Sequence, residues 1–181
     1  MDKAQIYTAL GSVVITAVVT LLAVYVANRG NMNRMLLQFK HEKSTRRSEQ
    51  LRQKLEEVYV LTEKFVTQLS IHWMLYMQVM DGGLTYNQAL DIGNDRKVDA
   101  PVYDRLEMLV DLYFPELHES FAEIIQHRDA ANKILAEHKR NYKAGDFDGN
   151  CYVKPMRDIL LGVDTAVKRF KESVVLQERK L

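Results

Sequence analysis

Residues 4–27 read AQIYTALGSVVITAVVTLLAVYVA, and this stretch contains no charged residue. As an α-helix it would extend about 36 Å, which is long enough to cross the hydrocarbon core of a bilayer. We therefore predict a single transmembrane helix within an N-terminal anchor of residues 1–30. Two alternatives are a buried soluble helix, which would usually carry some charge over this length, and a cleaved signal peptide, whose apolar core is normally shorter.

The charges on the two sides of this apolar stretch predict its orientation. Lys3 and the amino terminus precede it, partly offset by Asp2, whereas the following segment contains Arg29, Arg34, Lys40, Lys43, Arg46 and Arg47. The positive-inside rule then places the N-terminus outside and the C-terminal body in the cytoplasm, at the inner membrane if the source is bacterial. The six basic residues are also candidate contacts for anionic lipid headgroups. The alternative is that they only set topology and solubility.

Four hydroxyl side chains recur at every fourth position of the apolar stretch, namely Thr8, Ser12, Thr16 and Thr20. This spacing puts them on one face of a helix, where small polar residues can pack against a second membrane helix. Alternatively, each hydroxyl bonds the carbonyl four residues earlier, and the stripe then specifies no partner.

Residues 31–50 are predicted to form a basic, polar juxtamembrane stalk or linker, because the segment KHEKSTRRSEQ at 40–50 has no aliphatic residue to bury. Beyond it, apolar residues with 4-3-4-3 spacing predict one amphipathic or coiled-coil helix over about 47–79. Its seam contains Leu51, Leu55, Val58, Thr62, Phe65, Leu69, His72 and Tyr76. We interpret Leu51, Leu55, Val58, Phe65 and Leu69 as a candidate helix-association seam. The segment IHWMLYMQVM at 71–80 is apolar nearly all round, which predicts that other helices surround it.

Residues 51–181 are predicted to form a cytoplasmic helical bundle. Residues 84–100 indicate a short helix from about Thr85 and then a loop, which either binds a partner or only connects two helices. Pro101 suits the first turn of a helix. Pro115 indicates either a kink or a break after Phe114, and we favour a kink, with the helix continuing to about Tyr142. The last helix is expected over about 153–178. The predicted fold class is therefore all-α, with an antiparallel bundle of three to four helices after the long first helix.

Composition and motifs argue against several kinds of chemistry. Lys plus Arg number 25 and Asp plus Glu 24, so the chain lacks the basic excess of a nucleic-acid-binding protein. Cys151 is the single cysteine, which excludes an intramolecular disulfide. Asp146 and Asp148 resemble the opening of a calcium loop, but Cys151 and Arg157 occupy the positions where that loop needs Gly and Glu. We expect no metal, no cofactor, no small-molecule substrate and no catalytic site.

The leading hypothesis is a non-enzymatic, membrane-anchored helical interaction or scaffold protein. Its expected partners are the lipid bilayer and either another protein or further copies of the same chain. A second hypothesis is a membrane effector or signal transducer that acts through oligomerisation of the transmembrane helix. A third is a tethered enzyme with a site built from dispersed residues.

Overall fold

The computed structural model describes the backbone of residues 3–95 and 101–181, and the side chains of Thr16, 19–94 and 101–181. Over these ranges the chain forms five α-helices and no β-strand. The elements are α1 (Lys3–Met80), α2 (Tyr86–Asp95), α3 (Pro101–Tyr113), a 3-10 turn (Pro115–Leu117), α4 (His118–Lys143) and α5 (Asn150–Glu178). The chain divides into two compact units, Met1–Glu49 and Gln50–Leu181, and α1 contributes to both. The predicted all-α class is confirmed.

The first unit is helical from Lys3 onward, including the segment 31–50 that the sequence identifies only as a stalk or linker. Every described side chain between 19 and 47 is exposed. Most side chains of the predicted span, including those of Thr8 and Ser12, lie outside the described residues. Among the residues that are described, no helix combines the length and the hydrophobicity that a membrane crossing requires.

The second unit is a helical bundle, as predicted. Each long helix runs antiparallel to its two neighbours, because in every neighbouring pair the residue numbers of successive contacts rise along one helix and fall along the other, as in Arg52 with Glu178 and Glu63 with Lys171 for α1 and α5. The pairs that identify the neighbours are Glu57 with Arg105 for α1 and α3, Tyr103 with Phe121 for α3 and α4, Glu123 with Arg169 for α4 and α5, and Arg52 with Glu178 for α5 and α1. The cyclic order is therefore α1, α3, α4, α5, which is an up-down arrangement.

One core runs through this bundle and takes buried residues from all four long helices. It includes Leu55, Val58, Phe65, Trp73, Leu106, Leu109, Phe121, Ile124, Met156, Val163 and Phe170. Burying a side chain of this kind stabilises the fold by about 1.5–3 kcal/mol. The buried residues of α3 are Val102, Leu106, Leu109 and Val110, and those of α5 are Met156, Val163, Ala166, Val167, Phe170 and Val174.

The C-terminal part of α1 differs from the sequence prediction. His72 was expected on the seam, but Trp73 is the fully buried residue and His72 reaches the surface. The expectation that other helices surround residues 71–80 is also wrong, because Ile71 and Met74 are 40% and 57% exposed. This part of α1 therefore buries one face only.

Of the two alternatives at Pro115, the structure has the break and not the favoured kink. Helix α3 ends at Tyr113, and Phe114 has φ −138° and ψ 58°, outside the helical region. The proline ring disfavours helical geometry in the residue that precedes it, which explains the break. Phe114 and Leu117 are both buried and continue the core through the connection to α4.

The short helix expected near Thr85 is α2, and its start has a clear local cause. The Gln88 N–H donates to Thr85 Oγ1 at 3.3 Å, and the Thr85 N–H donates to Gln88 Oε1 at 2.9 Å. This reciprocal pair is a capping box. Helix α2 extends to Asp95, further than the sequence pattern indicated, and residues 96–100 lie outside the described part. Helix α5 likewise begins at Asn150, about three residues earlier than expected.

Candidate interaction surfaces

The candidate association seam is used inside the chain. Leu55, Val58 and Phe65 are at most 6% exposed, and Leu51 and Leu69 pack against the same core. Since these side chains already contact helices of their own bundle, contacts between chains have to use other residues.

Within the hydroxyl stripe, the structure describes the side chains of Thr16 and Thr20, and Thr20 makes a contact within its own helix. Thr20 Oγ1 donates to the carbonyl oxygen of Thr16 at 2.8 Å, which is the intrahelical alternative considered for the stripe. Thr8 and Ser12 lie outside the residues whose side chains are described. The six candidate headgroup contacts are all exposed, and they are Arg29, Arg34, Lys40, Lys43, Arg46 and Arg47. Arg46 also pairs with Glu42 at 2.6 Å.

A groove of about 440 Å³ lies between α1 and α5, and we call it the basic groove. Tyr59, Val175 and Leu176 supply apolar lining, while Lys168, Lys171 and Arg179 supply positive charge and Glu172 one negative charge. Lys171 is held in place, because its Nζ lies 4.8 Å from the centroid of the Tyr59 ring and pairs with Glu63. Burial lowers the pKa of Lys171. The groove therefore combines an apolar lining with a cationic rim.

A second groove, of about 240 Å³, lies between α3 and α4, and we call it the acidic groove. Its lining includes Tyr103, Glu107, Asp111, His118, Phe121 and Asp129. The Tyr103 hydroxyl donates to Glu107 Oε1 at 2.5 Å, and His118 Nδ1 lies 3.2 Å from Asp111 Oδ1. Burial, and then the hydrogen bond to Glu107, raise the pKa of Tyr103. This groove presents carboxylates around an aromatic lining.

The two grooves lie on opposite sides of the bundle, and their heights along it overlap. Phe121, in the acidic groove, has its ring centroid 5.7 Å from that of Phe170, which lies between Lys168 and Lys171 in the sequence of α5. The cyclic order of the helices places the α3–α4 pair opposite the α5–α1 pair. The grooves therefore face away from each other across the aromatic part of the core.

The acidic and basic grooves correspond to two segments of the sequence with opposite net charge. Residues 101–129 contain seven Asp or Glu against two Arg, a net charge of −5. Residues 166–181 contain five Lys or Arg against two Glu, a net charge of +3. The near-neutral total of +1 for the whole chain conceals this separation.

A cluster of aromatic side chains surrounds His138 where the ends of α1, α4 and α5 meet α2. His138 is 1% exposed, and the ring centroids of Tyr86, Tyr142 and Tyr152 lie 5.5–6.4 Å from its own. Neither ring nitrogen of His138 has a hydrogen-bond partner among the described residues. Burial lowers the pKa of His138, opposed by the charge of Asp146. Burial also raises the pKa of Tyr86 to about 12. Because its pKa is lowered, the imidazole of His138 is neutral at neutral pH.

The turn that carries the two calcium-like aspartates is organised by its own backbone. Asp146 Oδ1 accepts the Asp148 N–H at 3.3 Å, and Asp148 Oδ1 accepts the Asn150 N–H at 3.1 Å. Within the described ranges, no group of three or more His, Cys, Asp or Glu side chains is arranged to hold a metal ion.

A comparison of this chain with protein-family models, with curated proteins and with solved structures found no match. Both grooves were missed by the sequence patterns, because each is formed by two helices whose pairing the sequence alone does not give. The blocks of like charge at 101–129 and 166–181 were the available signal.

Proposed function

We propose that this chain is a non-enzymatic, membrane-anchored protein whose helical bundle binds a protein partner at the cytoplasmic face. The observation that carries the proposal is the uncharged stretch 4–27, because the apolar side chains described within it and just after it are largely exposed. Leu21, Val26 and Leu37 are 70%, 66% and 67% exposed. A contiguous apolar surface of this kind needs a covering, and lipid is suited to an uncharged helix.

The exposed basic residues after this stretch support the orientation. A lysine or arginine close to an anionic leaflet contributes roughly 1 kcal/mol of binding free energy. Anchoring confines the bundle to two dimensions, which raises the local concentration of its binding surfaces without any new contact. The basic and acidic grooves are the surfaces that we assign to partner binding.

The Thr20 hydroxyl bond to the Thr16 carbonyl bears on the effector hypothesis. That hypothesis relied on the hydroxyl stripe to join transmembrane helices, and in this pair the Thr20 hydroxyl is directed to its own helix. We therefore favour a scaffold over an effector.

Carbonate extraction of membranes from cells that express the full-length chain tests the anchor. We expect the wild-type chain to resist extraction and Ile15→Asp/Val19→Asp to be released, since an aspartate near the centre of a span costs about 2.5–3.5 kcal/mol. The matched control is Val60→Asp/Leu161→Asp, which adds the same charge at exposed positions of the bundle and should stay in the membrane. Release of the wild-type chain would refute the anchor.

Cys151 gives a separate test of orientation, because it is the single cysteine and is exposed. A membrane-impermeant maleimide should label it only after the cells are permeabilised. Labelling in intact cells would place the bundle outside and contradict the proposed topology.

A further inference from the structure

We propose that bundles of neighbouring chains associate side by side, with the acidic groove of one chain against the basic groove of the next. The inference rests on the proposed function, since it identifies the protein partner as a second copy of this chain. It uses surfaces other than the buried Leu51 seam and the hydroxyl stripe.

The first argument is charge complementarity. The acidic groove belongs to a segment with a net charge of −5, and the basic groove is completed by a segment with a net charge of +3. Contact between two acidic or two basic grooves would be repulsive, whereas contact between unlike grooves is attractive. The charges therefore favour a head-to-tail contact between two different surfaces over a symmetric dimer.

The second argument is that charged residues of both grooves can pair with residues of another chain. Lys168 and Arg179 are exposed, and neither forms an ion pair within the part of the chain that the structure describes. On the opposite face Asp111 and Asp129 are also exposed, and their side-chain partners, His118 and Arg128, lie on the same chain. These four residues can reach a neighbouring chain without unfolding the bundle.

The third argument is that each groove has apolar lining inside its charged rim. Val175 and Leu176 are 43% and 56% exposed in the basic groove. Phe121 and Ile125 line the acidic groove. An apolar centre surrounded by polar groups is the usual organisation of a specific protein interface.

The fourth argument is geometric. The cyclic order of the helices places the grooves on opposite faces, and the packing of Phe121 on Phe170 shows that their heights overlap. A sideways translation of the bundle, with a small axial shift, therefore brings unlike grooves together with the two chains parallel. Chains inserted into one membrane in the same way share this parallel orientation. A contact between opposite faces does not close on itself, so it generates rows of bundles.

Charge reversal in the full-length chain, purified in a mild non-ionic detergent, tests this arrangement by sedimentation velocity. We expect concentration-dependent association of the wild-type chain, weakened as added salt shortens the screening length. Lys168→Glu/Arg179→Glu and Asp111→Lys/Asp129→Lys should each lower the association constant at least about tenfold. Mixing the two variants should restore association, because each then meets an oppositely charged groove.

The controls carry the same charge changes at exposed positions that do not line either groove. They are Lys133→Glu/Lys143→Glu on α4 and Asp158→Lys/Asp164→Lys on α5, and both should associate like the wild-type chain. A monomeric wild-type chain, or a mixture of reversed variants that does not associate, would overturn the inference. Carbonate extraction distinguishes this failure from failure of the anchor, since a monomeric chain can still resist extraction.

Discussion

Gly149 lies where the start of α5 meets the end of α1, and replacing it with alanine is a sharp test of that packing. An added Cβ would lie 2.5 Å from Met80 Cα, 2.7 Å from the Met80 carbonyl oxygen and 2.9 Å from His138 Nε2. The φ of Gly149 is −99°, which alanine adopts readily, so the cost is steric. Overpacking of a core typically costs 1–3 kcal/mol. We expect a loss of about 2–3 kcal/mol, because backbone atoms cannot rotate away as a side chain can.

Thermal unfolding followed by far-ultraviolet circular dichroism measures this loss in the detergent-solubilised chain. At about 2–4 °C per kcal/mol for a chain of this size, Tm should fall by roughly 4–12 °C. The matched control is Gly162→Ala. The atom nearest to the Cβ added there is Cε1 of the His127 ring, at 2.5 Å. That side chain is partly exposed and can rotate, and alanine gains about 1 kcal/mol in helix propensity. An unchanged Tm in Gly149→Ala would refute the close contact between α1 and α5.

Two further predictions concern the core. The pKa of folded His138 is below the unfolded value of about 6.5, so the unfolded chain binds more protons as the pH falls below that value, and stability decreases with acidification. His138→Phe should reduce this decrease in denaturant titrations, and an equal decrease in the variant would contradict the assignment. Phe170→Ala should cost about 3–5 kcal/mol of unfolding free energy, whereas Phe147→Ala, at a 63% exposed position, should cost less than about 1 kcal/mol. Equal losses in the two variants would exclude Phe170 from the core.

The seam of α1 shows over what length a heptad pattern predicts the buried face of a straight helix. A repeat of 3.5 residues drifts by about 20° per heptad relative to a straight α-helix. Leu51 and His72 are three heptads apart, so His72 points about 60° away from the direction of Leu51. Trp73 then lies about 40° away on the other side and is closer to the core. The pattern predicts the buried residues correctly at Leu55 and Phe65 and fails where the drift has accumulated.

Local signals in the sequence predicted where helices begin more reliably than whether a helix continues across a proline. Pro101 begins α3 as expected, but the effect of Pro115 on Phe114 converts the expected kink into a break. The grooves could not be predicted in this way, since a groove requires knowledge of which helices are neighbours. A total charge of +1 also gave no indication of the opposite charges of the segments 101–129 and 166–181.

The pairing of α1 with α5 also has a consequence for how the chain is synthesised. Glu63 and Lys171 are in contact although more than 100 residues separate them in the sequence. The ribosome makes α1 before α5, so the face of α1 around Tyr59 and Glu63 has no α5 to pack against until residues 150–178 have been synthesised. Contacts of long sequence separation form slowly, and exposed apolar surface favours aggregation. A nascent chain that stops before α5 should therefore depend on chaperones, which pulse-labelled co-precipitation with ribosome-bound chaperones would detect.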